Sequence, residues 1–221
     1  METQVETNEK QPSPSLIGII TSPVETFERI RKKPKIWVPL LIVTVIEVLA
    51  MWLMGRLLKP SDLAGQGIPD QDLGMAVEFT KYTMIGSGAI TPILTVLVSS
   101  AIYLAIAKIA GSPVSFKQLF SMNTYLVFVT SIGHLLNMII GNLIGTSYDT
   151  HVTSLAGLLG KDGAGVLAAI EVFTIWSTIL TAIGLHKVAG LSKWLSWTVA
   201  IIFFLLGILL AVVGSMVPGG A

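Results

Sequence analysis

The chain contains no cysteine. That removes a disulfide framework, a thiolate zinc site and a cysteine nucleophile from consideration. Charge is also scarce. Asp, Glu, Lys and Arg together make up 12% of the 221 residues, where a soluble domain usually carries about 25%. So little polar surface cannot cover a globule of this size, and the bulk of the chain is expected in lipid. Long glycine-rich phosphate cradles are missing as well. Gly160-Lys161 is followed by Asp162 where a P-loop needs Ser or Thr, and Leu155 stands where its first glycine should be. The run from Gly163 to Ala168 matches a dinucleotide glycine pattern by letter, but it opens an apolar helix and follows no strand. No asparagine glycosylation sequon occurs. No cofactor is expected, and no catalytic constellation is visible, so the chain is not expected to be an enzyme.

What is present is apolar sequence: 52% hydrophobic residues and a mean hydropathy of +0.78. A membrane-crossing helix needs roughly 20 apolar residues for a hydrocarbon core of about 30 Å. Five segments qualify, at residues 36–58, 84–107, 122–144, 166–185 and 194–217. Backbone groups in lipid must be satisfied within the segment, and these runs are too long and too continuously apolar for barrel strands. The expected fold is an all-α integral membrane protein, a five-transmembrane-helix bundle. Its expected divisions are a disordered tail (1–15), an amphipathic and basic lead-in (16–35) and the transmembrane domain (36–217). The tail is polar and acidic, with Glu2, Glu6, Glu9, Pro12 and Pro14, and does not look like a secretory leader.

Orientation follows from the basic residues. With the N-terminus inside, ten Lys and Arg fall on inner segments (Lys10, Arg29, Arg31, Lys32, Lys33, Lys35, Lys108, Lys117, Lys187, Lys193) and four on outer ones (Arg56, Lys59, Lys81, Lys161). The positive-inside rule favours N-in and C-out, hence a multi-pass protein with a cytoplasmic N-terminus. Trp37, Trp194 and Trp197 sit at inner ends of spans, as an aromatic belt would.

The lead-in carries its own pattern. Ser22 can cap a helix, Pro23 suits the first position, and Glu25 completes a capping box. Val24, Phe27 and Ile30 lie along one stripe, as in a short N-terminal interfacial helix. Arg29, Arg31, Lys32, Lys33 and Lys35 follow beside the first span, and each attracts anionic lipid by about 1 kcal/mol. Phe27 and these five cations are candidates for binding the inner leaflet or a partner, or for serving only as a topology anchor.

Three stretches carry a family resemblance. They are the run from Ile20 to Ile30 (ITSPVETFERI), the run from Gly111 to Leu119 (GSPVSFKQL, leading through Tyr125 into the third span), and the turn from Gly184 to Ser192 (GLHKVAGLS). Together they resemble bacterial Yip-domain proteins, relatives of the eukaryotic Ypt-interacting proteins. The aspartate-leucine-tyrosine-glycine-proline motif of the eukaryotic members is missing, so a Rab-type or Golgi-trafficking role is not implied. The chain most resembles those bacterial members that sit beside a MacB-type ABC exporter and its adaptor. The resemblance implies a non-enzymatic accessory subunit that helps such an exporter assemble, with the ABC permease, ATPase and adaptor as partners. It also implies that the membrane is a bacterial cytoplasmic (plasma) membrane. Nucleic acid is not among the expected partners.

Polar residues inside the spans are the remaining signal. Glu47 and His134 both fall near the bilayer midplane, on different helices. An ionised group there costs at least ~2.5–3.5 kcal/mol and needs a partner. The two are expected to pair or share a proton, as a packing clasp, a relay or a contact to another chain. Asn137 lies almost one turn beyond His134, and Glu171 lies near the outer start of the fourth span. His134, His151 and His186 fall on a span, an outer loop and an inner loop, so no metal site is expected. Gly141 and Gly145 form a G-x-x-x-G, and Gly207, Ala211 and Ser215 a small-residue stripe, both candidates for close helix packing. Pro92 is expected to kink the second span, with Thr91 beside it. An independent proton-linked carrier and a lipid-active, membrane-shaping protein are the other functions this pattern admits.

Overall fold

The structure is a computed structural model that describes residues 13–161 and 165–216, with side chains through Val213. The first twelve residues of the expected tail, Val217 at the end of the fifth expected span, and Gly163 and Ala164 of the glycine pattern lie outside the described residues, as does the Ser215 side chain. Among the described residues ten α-helices follow one another: α1 Gly18–Thr21, α2 Pro23–Lys32, α3 Trp37–Leu57, α4 Pro60–Leu63, α5 Leu73–Ile109, α6 Phe116–Ile144, α7 Leu155–Leu158, α8 Val166–Ala169, α9 Val172–Lys187 and α10 Lys193–Met216. Among the described residues no strand occurs, and Ser154 and Glu171 form an isolated antiparallel bridge.

Among the described residues four helices are long and apolar enough to cross a membrane: α3, α5 with the turn before it, α6, and α10 as far as Val213. Their surfaces carry many exposed large apolar side chains, such as Leu41 (64%), Leu94 (52%) and Leu210 (71%). A helix apolar all round belongs in a core or in lipid, and these faces have no protein neighbour.

The fourth expected span is not a single helix. It divides into α8 and α9, with Ile170 and Glu171 extended between them. The backbone there is satisfied from outside the segment: Leu155 N–H donates to the Ile170 carbonyl at 2.8 Å, and Val172 N–H to that of Thr153 at 3.4 Å. Irregular backbone at membrane depth survives only where protein covers it. The Glu171 side chain then starts α9 afresh by accepting from Thr174 N–H at 2.8 Å. The 16 residues of α9 reach about 24 Å, short of the ~30 Å core.

The second expected span is longer than its apolar run, because α5 begins at Leu73 and absorbs part of the expected outer loop. Pro92 lies within α5, buried, without ending the helix. A small apolar cluster of Leu58, Leu63 and Val77 gathers beside that extension.

α6 is the central helix. It packs against α3, α5, α9 and α2. Its buried face mixes large apolar groups with polar ones that are all bonded. Asn123 donates to Ser100 Oγ at 2.9 Å, and Asn142 donates to the Leu53 carbonyl at 2.9 Å. α3 and α5 approach most closely at Gly88, where an added Cβ would lie 3.0 Å from the Glu47 carbonyl and 3.1 Å from Val48 Cα. A larger residue there would have to push that backbone back by a few tenths of an ångström, and Gly88 lies outside both stripes expected to pack helices. Of those stripes, Gly141 does face another helix, 3.3 Å from Leu57 Cδ1 for a built Cβ. Gly145 has no neighbour there. It ends α6 in the left-handed region at φ 75°, its N–H bonded to the Gly141 carbonyl, which is a capping role.

Candidate functional site

Two polar regions stand out, one at the end of the bundle that carries α2 and one within the bundle.

At the α2 end, the three stretches that carry the family resemblance come together. The lead-in does not lie free on a surface. Ile19, Phe27 and Ile30 are fully buried in the main apolar core, and Phe27 approaches Gly184 of α9, 3.1 Å from a built Cβ. Phe27 is therefore a core residue and is not available to lipid or to a partner, while Val24 on the expected stripe stays 41% exposed. The expected capping box at Ser22 does not form. Ser22 makes no side-chain cap bond, and the Glu25 side chain pairs with Arg29, four residues on, at 3.0 Å. A capping box does form at Ser115 and Gln118, and Gln118 also donates to the Arg31 carbonyl at 2.7 Å. Ser121 Oγ bonds both backbone groups of Lys35, at 2.7 and 3.1 Å. Ser112 Oγ donates to the Ala189 carbonyl of the α9–α10 turn, and Tyr125 donates to the Pro14 carbonyl at 3.1 Å.

These links leave an open groove of about 760 Å³, lined among others by Arg31, Lys32, Gln118, His186 and Lys187. Lys187 pairs with Glu28 at 2.8 Å, and that bond holds the Glu28 carboxyl below its ordinary pKa. Lys33 and Lys35 are exposed beside the groove. His186 bonds the Leu191 carbonyl at 2.7 Å, far from the other two histidines in role and place.

Within the bundle, the polar groups expected on α3, α6 and α9 gather into one polar region as two neighbouring hydrogen-bonded sets. His134 Nδ1 lies 3.0 Å from Glu47 Oε2, and Ser131 Oγ donates to Glu47 Oε1 at 2.6 Å. Asn137 sits one turn on. It donates to the Gly133 carbonyl at 2.9 Å and to Thr153 Oγ1 at 2.8 Å, and accepts from Thr153 N–H at 2.9 Å. Thr153 then donates to Glu171 Oε1 at 2.5 Å. The α6–α9 loop, expected outside, thus folds back into the bundle. It brings His151 to a ring-centroid distance of 6.0 Å from His134. Burial and the neighbouring His134 lower the His151 pKa. Two of the three histidines thus lie near each other, while His186 stands apart. Among the described residues no group of three or more His, Asp or Glu is placed to hold a metal ion.

A cavity of about 460 Å³ opens along this system, bounded by α5, α6, α9 and α10 and lined in part by His134, Asn137, His151 and Glu171. Gly207 and Ala211 border it too. A Cβ built on Gly207 would meet nothing within 4 Å, so this glycine leaves space along the cavity. Sequence reasoning missed Ser131 and Thr153, which complete the system. Thr153 lay in a loop with no polar periodicity to mark it.

The Yip1 domain matches residues 17–216 of the chain. The membrane protein YknW of Bacillus subtilis is 37% identical over 214 residues, which cover 92% of each chain. No solved structure matches.

Proposed function

Because this chain belongs to the Yip1 domain family, a family of membrane proteins in which its relative is named as one, we propose that it is a non-enzymatic accessory subunit of a membrane complex. The complex is an ABC-type exporter, and the chain assists its assembly or activity. One observation carries the docking part of this reading. The three stretches that carry the family resemblance are tied together beside one basic groove at the α2 end, Ser112 to Ala189 and Lys187 to Glu28. Such a groove fits an acidic surface of a partner ATPase or adaptor, held beside anionic lipid. In this reading the bundle lies in the cytoplasmic membrane of a bacterium with the α2 end inside. The chain crosses five times, with α9 and the folded-back segment before it making the fourth crossing.

The test is a pull-down of the tagged full chain at native expression in mild detergent. Co-purification of an ATPase-bearing permease, reduced by the substitutions Arg31→Glu and Lys32→Glu, is the expected result. Failure to recover any such permease would sink the proposal. The buried carboxylates and cavity favour a second reading, a proton-linked carrier. It predicts substrate uptake by the purified chain alone in liposomes.

A further inference from the structure

We propose that the cavity between α5, α6, α9 and α10 is a binding site for an organic ammonium group. This inference stands apart from the accessory reading and rests on which way the hydrogen bonds of the wall point. Thr130, Thr178 and Thr181 each donate their hydroxyl hydrogen to a carbonyl of their own helix, at 3.0, 2.8 and 2.8 Å. Thr174 donates to the Glu171 carboxylate at 3.2 Å. A hydroxyl has one hydrogen and two lone pairs, so these four present lone pairs to the cavity. Asn137 has committed both amide hydrogens, to Gly133 and Thr153. His134 faces Glu47 through Nδ1.

The charge has the same sense. Glu171 is 9% exposed, and its carboxylate accepts from Thr153, from Thr174 N–H and from the Thr174 hydroxyl. No Lys or Arg lines the cavity. Tyr103 and Phe203, in edge contact at 5.2 Å, line its wall with Phe204. Aromatic rings attract cations. A wall rich in acceptors, with one carboxylate and aromatic rings, favours a compact donor-rich cation over an anion, and Tyr103, Ser177 and His151 are the lining groups that can also donate. At about 460 Å³ the space suits a small organic molecule.

Phenethylamine is the probe, titrated calorimetrically into the full chain in nanodiscs of phosphatidylglycerol, with phenethyl alcohol as its neutral isostere. The amine is expected to bind at least about tenfold more tightly than the alcohol. Gly207→Leu fills the cavity from a position with no neighbour within 4 Å. It is expected to abolish amine binding while the melting temperature holds. Glu171→Gln is expected to weaken binding about tenfold or more. Should that variant fail to fold, Gly207→Leu still decides. Equal affinities for amine and alcohol, or unchanged amine binding in Gly207→Leu, would overturn the proposal. The ammonium could come from a free amine or from an ethanolamine lipid headgroup. Nanodiscs containing phosphatidylethanolamine separate the two: a raised apparent Kd for phenethylamine assigns the site to the headgroup, and an unchanged one to a soluble amine.

Discussion

The imidazole of His134 lies 3.0 Å from the carboxylate of Glu47, across the contact between α6 and α3. Ser131, one turn earlier on α6, holds the other carboxylate oxygen at 2.6 Å. The two helices are therefore clasped by a bidentate acceptor on one and two donors on the other.

Removing one side of this clasp leaves a polar group in an apolar bundle. Glu47→Ala is expected to cost about 1–3 kcal/mol, and Glu47→Gln less, since an amide oxygen can still accept from Ser131. In a double-mutant cycle with His134→Ala the coupling is expected at about 0.6–2 kcal/mol. Reversible unfolding in mixed detergent micelles measures both. An additive cycle would mean that the pair contributes no coupling to stability.

Gly88 is the tight point between α5 and α3. Its added Cβ would press on the backbone of Glu47 and Val48, which cannot move aside as a side-chain tip can. Gly88→Ala is expected to destabilise by about 1–3 kcal/mol. Gly86→Ala, on the same helix with nothing within 4 Å, is expected to stay within about 0.5 kcal/mol. The difference in melting temperature between the two variants checks it.

His151 ties stability to pH. Its folded pKa is lowered from 6.5, by burial first and by His134 second. As pH falls through about 6.5 the unfolded chain takes up the proton before the folded one does, so stability drops. The loss levels off below the lowered folded pKa. The contribution is complete above about pH 7. Melting temperatures in detergent between pH 8 and pH 5 are expected to fall less for His151→Gln than for the parent chain.

Topology can be read directly, because the chain has no cysteine to remove. Single substitutions Lys33→Cys and Ser192→Cys are expected to react with an impermeant maleimide only in opened cells. Ser61→Cys and Lys161→Cys are expected to react in intact ones. Labelling of Lys161→Cys from the same side as Ser192→Cys would remove the fourth crossing.

Depth along a helix is legible in sequence because the rise per residue is constant. That is why Glu47 and His134 could be matched before their helices were placed. Periodicity also marked α3, α6 and α10, whose apolar runs are long and unbroken. It failed at α8 and α9. The run from 166 to 185 is apolar throughout, but Glu171 caps the second half while the backbone at 170–172 bonds to residues 153–155. Nothing local to 166–185 announces those partners. It failed in the lead-in for the same reason: Phe27 has the spacing of an interfacial stripe, and only the position of Gly184 makes it core.

The amino-acid sequence by itself determined that this chain goes into lipid, which segments are helical, and which polar groups must find partners there. Those properties follow from composition, run length and the cost of bare polar groups in hydrocarbon, all of which are local. The tertiary structure alone decided which partners they find. Thr153 and His151 come from a loop to complete the polar system, Gly88 and not Gly145 is the close contact, and Gly207 lines a cavity. Each of those outcomes depends on contacts between residues far apart in the chain, whose distances are set by how the helices pack.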